Sequence, residues 1–72
     1  MKEERVRLYL ERLRSRAKAW MQNTGENAPC ILEDLSFAEQ WLDMRETVWA
    51  WGCVQNARNL ARNLGIMRTA RA

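Results

Sequence analysis

The chain has 72 residues, of which 47% are hydrophobic and 29% charged, and its formal net charge at pH 7 is +3. The apolar content excludes a disordered tail, and the length limits the chain to one domain, 1–72, near the lower size for a self-sufficient core. With no histidine, two cysteines and no CxxC pair, the composition also excludes a zinc site of the usual kind.

The start of the chain, Met1 to Arg5, is highly charged and is not followed by the apolar segment of a secretory signal. No window approaches the roughly 20 apolar residues of a membrane span. We therefore expect a cytoplasmic protein with reduced thiols and no membrane association. A disulfide between Cys30 and Cys53 is the alternative, which a reducing compartment disfavours.

Charge alternates in sign along the chain. Residues 1–22 carry seven basic and three acidic side chains, residues 23–46 one basic and six acidic, and residues 47–72 four basic and none acidic. This order is typical of a chain folded back on itself with opposite charges side by side. Solvation of helix faces explains any single charge equally well.

The first predicted element is an amphipathic helix over residues 3–23. Glu3 and Glu4 suit the positive end of the helix dipole, and Gly25 is the predicted stop. The apolar stripe steps by four and three residues, as a helix requires, and comprises Val6, Leu10, Leu13, Ala17 and Trp20.

Residues 24–35 are rich in turn formers and are predicted as a loop. A short helical turn begun by Pro29 is an open alternative within it. Ser36 and Glu39 match a capping box, which favours a second helix beginning at Phe37.

This second helix is predicted to run over residues 37–64, with Gly65 as its stop, and residues 66–72 are expected to fray. A strand over residues 47–54 is an alternative, because that stretch is rich in β-branched and aromatic residues, but no second strand exists to pair with it.

The predicted second helix carries apolar residues on two opposite sides, at about 100° per residue. One side comprises Phe37, Trp41, Met44, Val48 and Trp51. The other comprises Ala38, Leu42, Trp49, Cys53, Ala57, Leu60 and Leu64. Because the first helix can cover only one side, either the second helix is straight and a second chain covers the other side, or it bends at Gly52 into a three-helix unit. We favour the straight helix, because Gly52 has no turn-forming neighbours.

The predicted fold is therefore an all-α helical hairpin with one long second helix, which forms a homodimer through one face of that helix. We expect no enzymatic activity, metal or cofactor. Without histidine, acid–base catalysis would need Asp, Glu, Lys, Tyr or Cys, and no base is placed to activate Cys53.

A protein interface is the function that the aromatic residues favour. For any one tryptophan the core is the better assignment, but four exceed what one short hairpin can bury. Tryptophan and methionine are favoured at interface centres. The predicted interface residues are Trp41, Met44, Trp49, Trp51, Cys53 and Leu60.

Nucleic-acid binding is the alternative function. Residues 57–64 repeat Ala-Arg-Asn-Leu, and arginine and asparagine are residue types that contact phosphates and bases. A long second helix, however, does not provide a helix-turn-helix unit. The residues proposed to contact nucleic acid or an acidic partner are Arg58, Asn59, Arg62, Asn63, Arg12 and Arg16.

Two stretches carry a family resemblance: Leu10-Glu11-Arg12-Leu13-Arg14 with Ala17 and Trp20, and Ser36-Phe37 with Trp41-Leu42. They resemble the phage anti-activators that bind a bacterial quorum-sensing regulator. The layout is similar more broadly to small phage host-takeover proteins, including anti-CRISPRs. The resemblance implies a helical, dimeric inhibitor that blocks a host regulatory or defence protein by direct contact; a small DNA-binding transcriptional regulator is the alternative.

Overall fold

The computed structural model describes residues 2–66, and these contain three helices and no strand. The helices are α1 (Glu3–Thr24), α2 (Pro29–Asp43) and α3 (Thr47–Asn63). Each helix contacts the other two, and the most extensive contact joins α2 to α3. The prediction of an all-α fold is confirmed. None of the helices in the described part of the chain combines the length and the apolar character needed to cross a membrane.

The first helix lies close to its predicted position. It ends where Gly25 adopts a left-handed conformation, with φ of 73°, and the Gly25 N–H donates to the Met21 carbonyl at 2.9 Å. Glycine suits this position because it lacks the Cβ that would clash there. The predicted apolar stripe is the buried stripe of α1, comprising Val6, Leu10, Leu13, Ala17 and Trp20.

The prediction of one long helix over residues 37–64 is wrong. A second helix begins already at Pro29, whose missing N–H is harmless in the first turn, and it ends at Asp43. Residues 29–35, predicted as a loop with a helical turn as the alternative, are therefore the start of α2. Ser36 lies inside this helix and does not cap it.

Residues 44–46 reverse the chain between α2 and α3. The Glu46 N–H donates to the Trp41 carbonyl at 2.8 Å and the Arg45 N–H to the Leu42 carbonyl at 3.0 Å. These two bonds form a Schellman motif, in which the residue at the Arg45 position adopts a left-handed conformation. The φ of Arg45 is 62°, although glycine or asparagine usually occupies this place. The turn therefore has no signal in the sequence.

We expect Arg45→Gly to raise the free energy of unfolding by about 1 kcal/mol, because glycine adopts positive φ without steric cost. Chemical denaturation monitored by circular dichroism measures the change. Gly25→Ala is the matched control and should lower stability, because it introduces a Cβ at a φ of 73°. A loss of stability in Arg45→Gly would contradict the left-handed turn.

The alternative prediction, a bend at Gly52 that gives a three-helix unit, is right about the three helices and wrong about where the chain reverses. Gly52 lies within α3, and nothing lies within 4 Å of where its Cβ would be. At the end of α3, Gly65 has a φ of 80°, and its N–H donates to the Arg62 carbonyl at 3.1 Å. Ile66, expected to fray, is fully buried, whereas the rest of that prediction, residues 67–72, lies outside the described residues.

The helices run up, down and up. The pairs Arg7–Asp43 and Arg14–Glu39 place α2 antiparallel to α1. The large core side chains come from α1, α2 and the segment after α3, whereas α3 contributes mainly alanines. Small residues let α3 approach its neighbours closely. The fully buried alanines are Ala17, Ala38, Ala50, Ala57 and Ala61.

Opposite charges lie side by side on the flank between α1 and α2, as the charge order predicts. Arg7 pairs with Glu3 at 3.7 Å and with Asp43 at 3.5 Å. Arg14 pairs with Glu11 at 3.0 Å and with Glu39 at 3.3 Å. Exposed ion pairs of this kind contribute little to stability. Their main effect is to neutralise Arg7 and Arg14, which leaves the positive charge of other basic side chains uncompensated by these carboxylates.

Candidate functional site

An aromatic patch lies where α2 meets α3; we define it as Trp41, Met44, Val48 and Trp49. The reversal at residues 44–46 brings the Trp41 and Trp49 rings together, with centroids 5.8 Å apart and planes at 28°. Trp41 is half-buried, whereas Met44, Val48 and Trp49 are 59%, 77% and 63% exposed. Single exposed apolar residues are normal, but a contiguous group of large ones marks an interaction surface.

Phe37 extends the aromatic patch along α2, because it lies one helical turn before Trp41 and is also exposed. Cys53 lies on α3, and its thiol is next to the Trp41 side chain of α2. Burial raises the pKa of Cys53 and the negative charge of Asp34 raises it further, while a hydrogen bond from the Trp41 indole opposes the shift. A raised pKa leaves less reactive thiolate, which weakens the case for Cys53 as a nucleophile.

Polar side chains follow Trp41 and Cys53 on the same outward-facing surface of α2 and α3. The Asn56 side-chain amide donates to the Asp34 carboxylate at 2.7 Å. Beyond them, Leu60 and Cys30 line a shallow cleft between the end of α3 and the start of α2. Both cysteines are free thiols, so the alternative of a Cys30–Cys53 disulfide does not occur in the structure.

The four tryptophans have different environments. Trp20 is buried in the core, and Trp41 and Trp49 form the stacked pair. Trp51 lies on the other side of α3, where its ring contacts that of Tyr9 with centroids 5.4 Å apart and planes at 60°. The predicted interface residues therefore do not share one surface. The structure groups Trp41, Met44, Trp49 and Cys53, and it separates Trp51 and Leu60 from them.

A second surface is a cleft of about 230 Å³ between α1 and α3, which we call the arginine groove. The groove has no acidic lining residue, and Arg12 and Arg58 form no ion pair with any of residues 2–66. The Tyr9–Trp51 contact lies at the end nearer the start of both helices. The lining residues are Tyr9, Arg12, Leu13, Arg16, Trp51, Val54, Gln55 and Arg58.

The groove unites three predicted contact residues, Arg12, Arg16 and Arg58, from two helices. The other three predicted contact residues lie outside the groove. Asn63 lines the cleft near Cys30, while Asn59 and Arg62 are exposed on α3. The arginines and asparagines of the repeat therefore face different surroundings.

The sequence analysis placed Val48 and Phe37 on an apolar side of the second helix but did not include them in the predicted interface, and it missed Tyr9 and Gln55 as groove residues. A signal existed for the groove. Two stripes share the spacing four, three, four: Arg5, Tyr9, Arg12 and Arg16 on α1, and Trp51, Gln55, Arg58 and Arg62 on α3.

Within residues 2–66, no three histidine, cysteine, aspartate or glutamate side chains group closely enough to hold a metal ion. Neither a protein-family model, nor a curated protein, nor a solved structure matches this chain. Function is therefore inferred from the physical character of the two surfaces.

Proposed function

We propose that this protein is a small non-enzymatic binding protein that inhibits or modulates a host regulatory or defence protein by direct contact, as phage host-takeover proteins do. The observation that carries the proposal is the exposed Trp49 ring stacked on Trp41 in the aromatic patch. Tryptophan dominates the binding energy of many interfaces. A ring already held by its neighbour loses less conformational freedom when a partner binds.

The patch has two candidate occupants, a host protein and a second copy of this chain. A homodimer through the outward face of α2 and α3 would bury Met44, Val48 and Trp49 without disturbing α1. Light scattering measured over a range of protein concentrations distinguishes a homodimer from a monomer. A dimer that Trp49→Ala dissociates supports the second copy, and a monomer throughout leaves the host protein as the occupant.

The second candidate function is a small DNA-binding regulator that uses Arg58, Asn59, Arg62 and Asn63. The observation in its favour is that α3 contains no acidic residue. The short turn at residues 44–46 also gives two successive helices, which a helix-turn-helix needs. However, α2 and α3 lie side by side along their lengths and do not cross steeply, so α3 does not project as a recognition helix.

Capture of partners from a bacterial lysate, quantified by mass spectrometry, tests the protein-binding proposal. Trp49→Ala should weaken retention of the specific partner about thirtyfold, which corresponds to about 2 kcal/mol at an interface hot spot. Because Trp49 is mostly exposed, the variant should lose no more than about 1 kcal/mol of stability.

Leu8→Ala is the matched control for this experiment. Leu8 is 49% exposed and lies on α1, outside the aromatic patch, so its truncation should leave partner retention unchanged. Equal retention by wild type, Leu8→Ala and Trp49→Ala would contradict a role for the patch, as would the failure of wild type to retain any partner.

A further inference from the structure

We propose that the arginine groove binds single-stranded nucleic acid, with phosphates on Arg12, Arg16 and Arg58 and a base against Tyr9 and Trp51. This activity goes beyond the proposed function, because it uses a different surface. Trp49 and Trp51 are two residues apart, or about 200° around α3, so the aromatic patch and the groove lie on opposite sides of that helix.

Charge is segregated between the two flanks of α1. On the α2 flank, Arg7 and Arg14 are each paired with two carboxylates. On the α3 flank, Arg12 and Arg58 have no such partner among residues 2–66, and α3 has no acidic residue to offer. Both walls of the groove therefore carry positive charge that no carboxylate of residues 2–66 neutralises, and this charge attracts a polyanion.

The α1 and α3 walls of the groove carry similar types of side chain in the same order along the helix. Residues three and four apart share a helix face, so each wall presents an aromatic ring followed by polar side chains one turn, or about 5.4 Å, further along. Because α1 and α3 run in the same direction, Tyr9 and Trp51 meet at one end and Arg16 and Arg58 lie towards the other. A strand with a stacked base at one end and phosphates along its length fits this order.

The balance of donors and acceptors favours nucleic acid over an acidic peptide. Arginine side chains only donate hydrogen bonds, and phosphate oxygens only accept them. An extended peptide would need acceptors for its own N–H groups, and the groove offers few beyond Gln55 and the Tyr9 hydroxyl. Leu13 and Val54 are buried, so the accessible apolar surface of the groove belongs largely to the Tyr9 and Trp51 rings, which suit a flat base better than the aliphatic side chains of a peptide helix.

The shape of the groove favours a single strand over a duplex. A cleft of about 230 Å³ between two helices is concave, whereas reading a duplex requires an element that projects into its groove. Bases can stack on protein rings only when they are unpaired. Tyr9 is 42% exposed and is therefore accessible to such a base.

Fluorescence anisotropy with a labelled mixed-sequence DNA strand of about 12 nucleotides, and its RNA counterpart, tests the proposal. Arg12→Gln/Arg58→Gln should weaken binding about tenfold or more. It should also reduce the slope of log affinity against log salt by about 1.4, since each lost contact to a single strand contributes about 0.7. Tyr9→Leu should weaken binding about fivefold or more and leave the slope unchanged, because it removes a stacking surface and no charge.

Lys18→Gln/Arg45→Gln is the control, because it also removes two positive charges but from positions outside the groove. It should weaken binding less than about threefold, and all variants should keep the wild-type circular dichroism spectrum. Four results would each overturn the proposal: no binding at low salt, equal weakening by the control, equally tight binding of the matching duplex, or equal competition by polyglutamate together with unchanged binding by Tyr9→Leu. The last result would identify an acidic peptide as the occupant.

Discussion

Leu35→Ala should lower the free energy of unfolding by about 3 kcal/mol, the usual cost of truncating a fully buried leucine. Leu35 has no exposed surface and lies midway along α2, in the core cluster that all three helices share. A chain of this length has a total stability of only about 4 to 11 kcal/mol, so the variant should lose a large part of it. Urea denaturation monitored by circular dichroism measures the loss.

Leu8→Ala is the matched control, since it removes the same atoms from an exposed position on α1. Its free energy of unfolding should change by no more than about 0.5 kcal/mol. A loss below about 1 kcal/mol in Leu35→Ala would show that α2 does not pack as described. The comparison therefore separates the loss of core packing from the effect of shortening an exposed side chain.

The first helix was predictable because its signals are local. Its apolar residues recur at helical spacing, and Gly25 marks its end with a residue suited to a left-handed conformation. The break between α2 and α3 lacked such a signal. The position that needed a left-handed residue holds Arg45, and neither glycine nor proline lies between Ser36 and Trp51.

The sequence correctly places apolar residues on two sides of the stretch 37–64. Two folds are compatible with that pattern. A straight helix would expose one side to a partner, and a folded one buries part of each side internally. In the structure, Ala38, Leu42 and Ala57 of one side lie in the core, and Trp41 and Trp51 of the other side are partly buried against it. The choice depends on packing between residues distant in sequence, which a local pattern does not contain.

The positions of the candidate surfaces also depend on whether residues 37–64 form one straight helix or two helices joined by a turn. Sequence could identify the tryptophans but not their directions, because Trp49 and Trp51 face opposite sides and the helix break decides which neighbours each meets. The groove arises because α1 and α3 run in the same direction. In a two-helix hairpin the second helix would run antiparallel to α1, and Arg58 would lie near the start of α1 and away from Arg16.

The patch and the groove share α3 as a common wall, so both require α3 to be held at a fixed distance from its neighbours. Its buried stripe has little bulk to hold it: Ala50, Val54, Ala57 and Ala61. Close approach of helices across alanines leaves no room for a larger side chain. The position of α3 should therefore be more sensitive to added volume than to lost volume.

Ala57→Leu tests this sensitivity and should lower the free energy of unfolding by about 1 to 3 kcal/mol, because the added atoms force α3 away from α1 and α2. Ala57 is fully buried, whereas Asn59 on the same helix is exposed, so Asn59→Leu is the control and should change stability by no more than about 0.5 kcal/mol. Urea denaturation gives the stabilities, and tryptophan fluorescence reports whether the stacked pair is disturbed. An unchanged stability in Ala57→Leu would mean that α3 has space to spare on its inner face, and neither surface could then depend on its close packing.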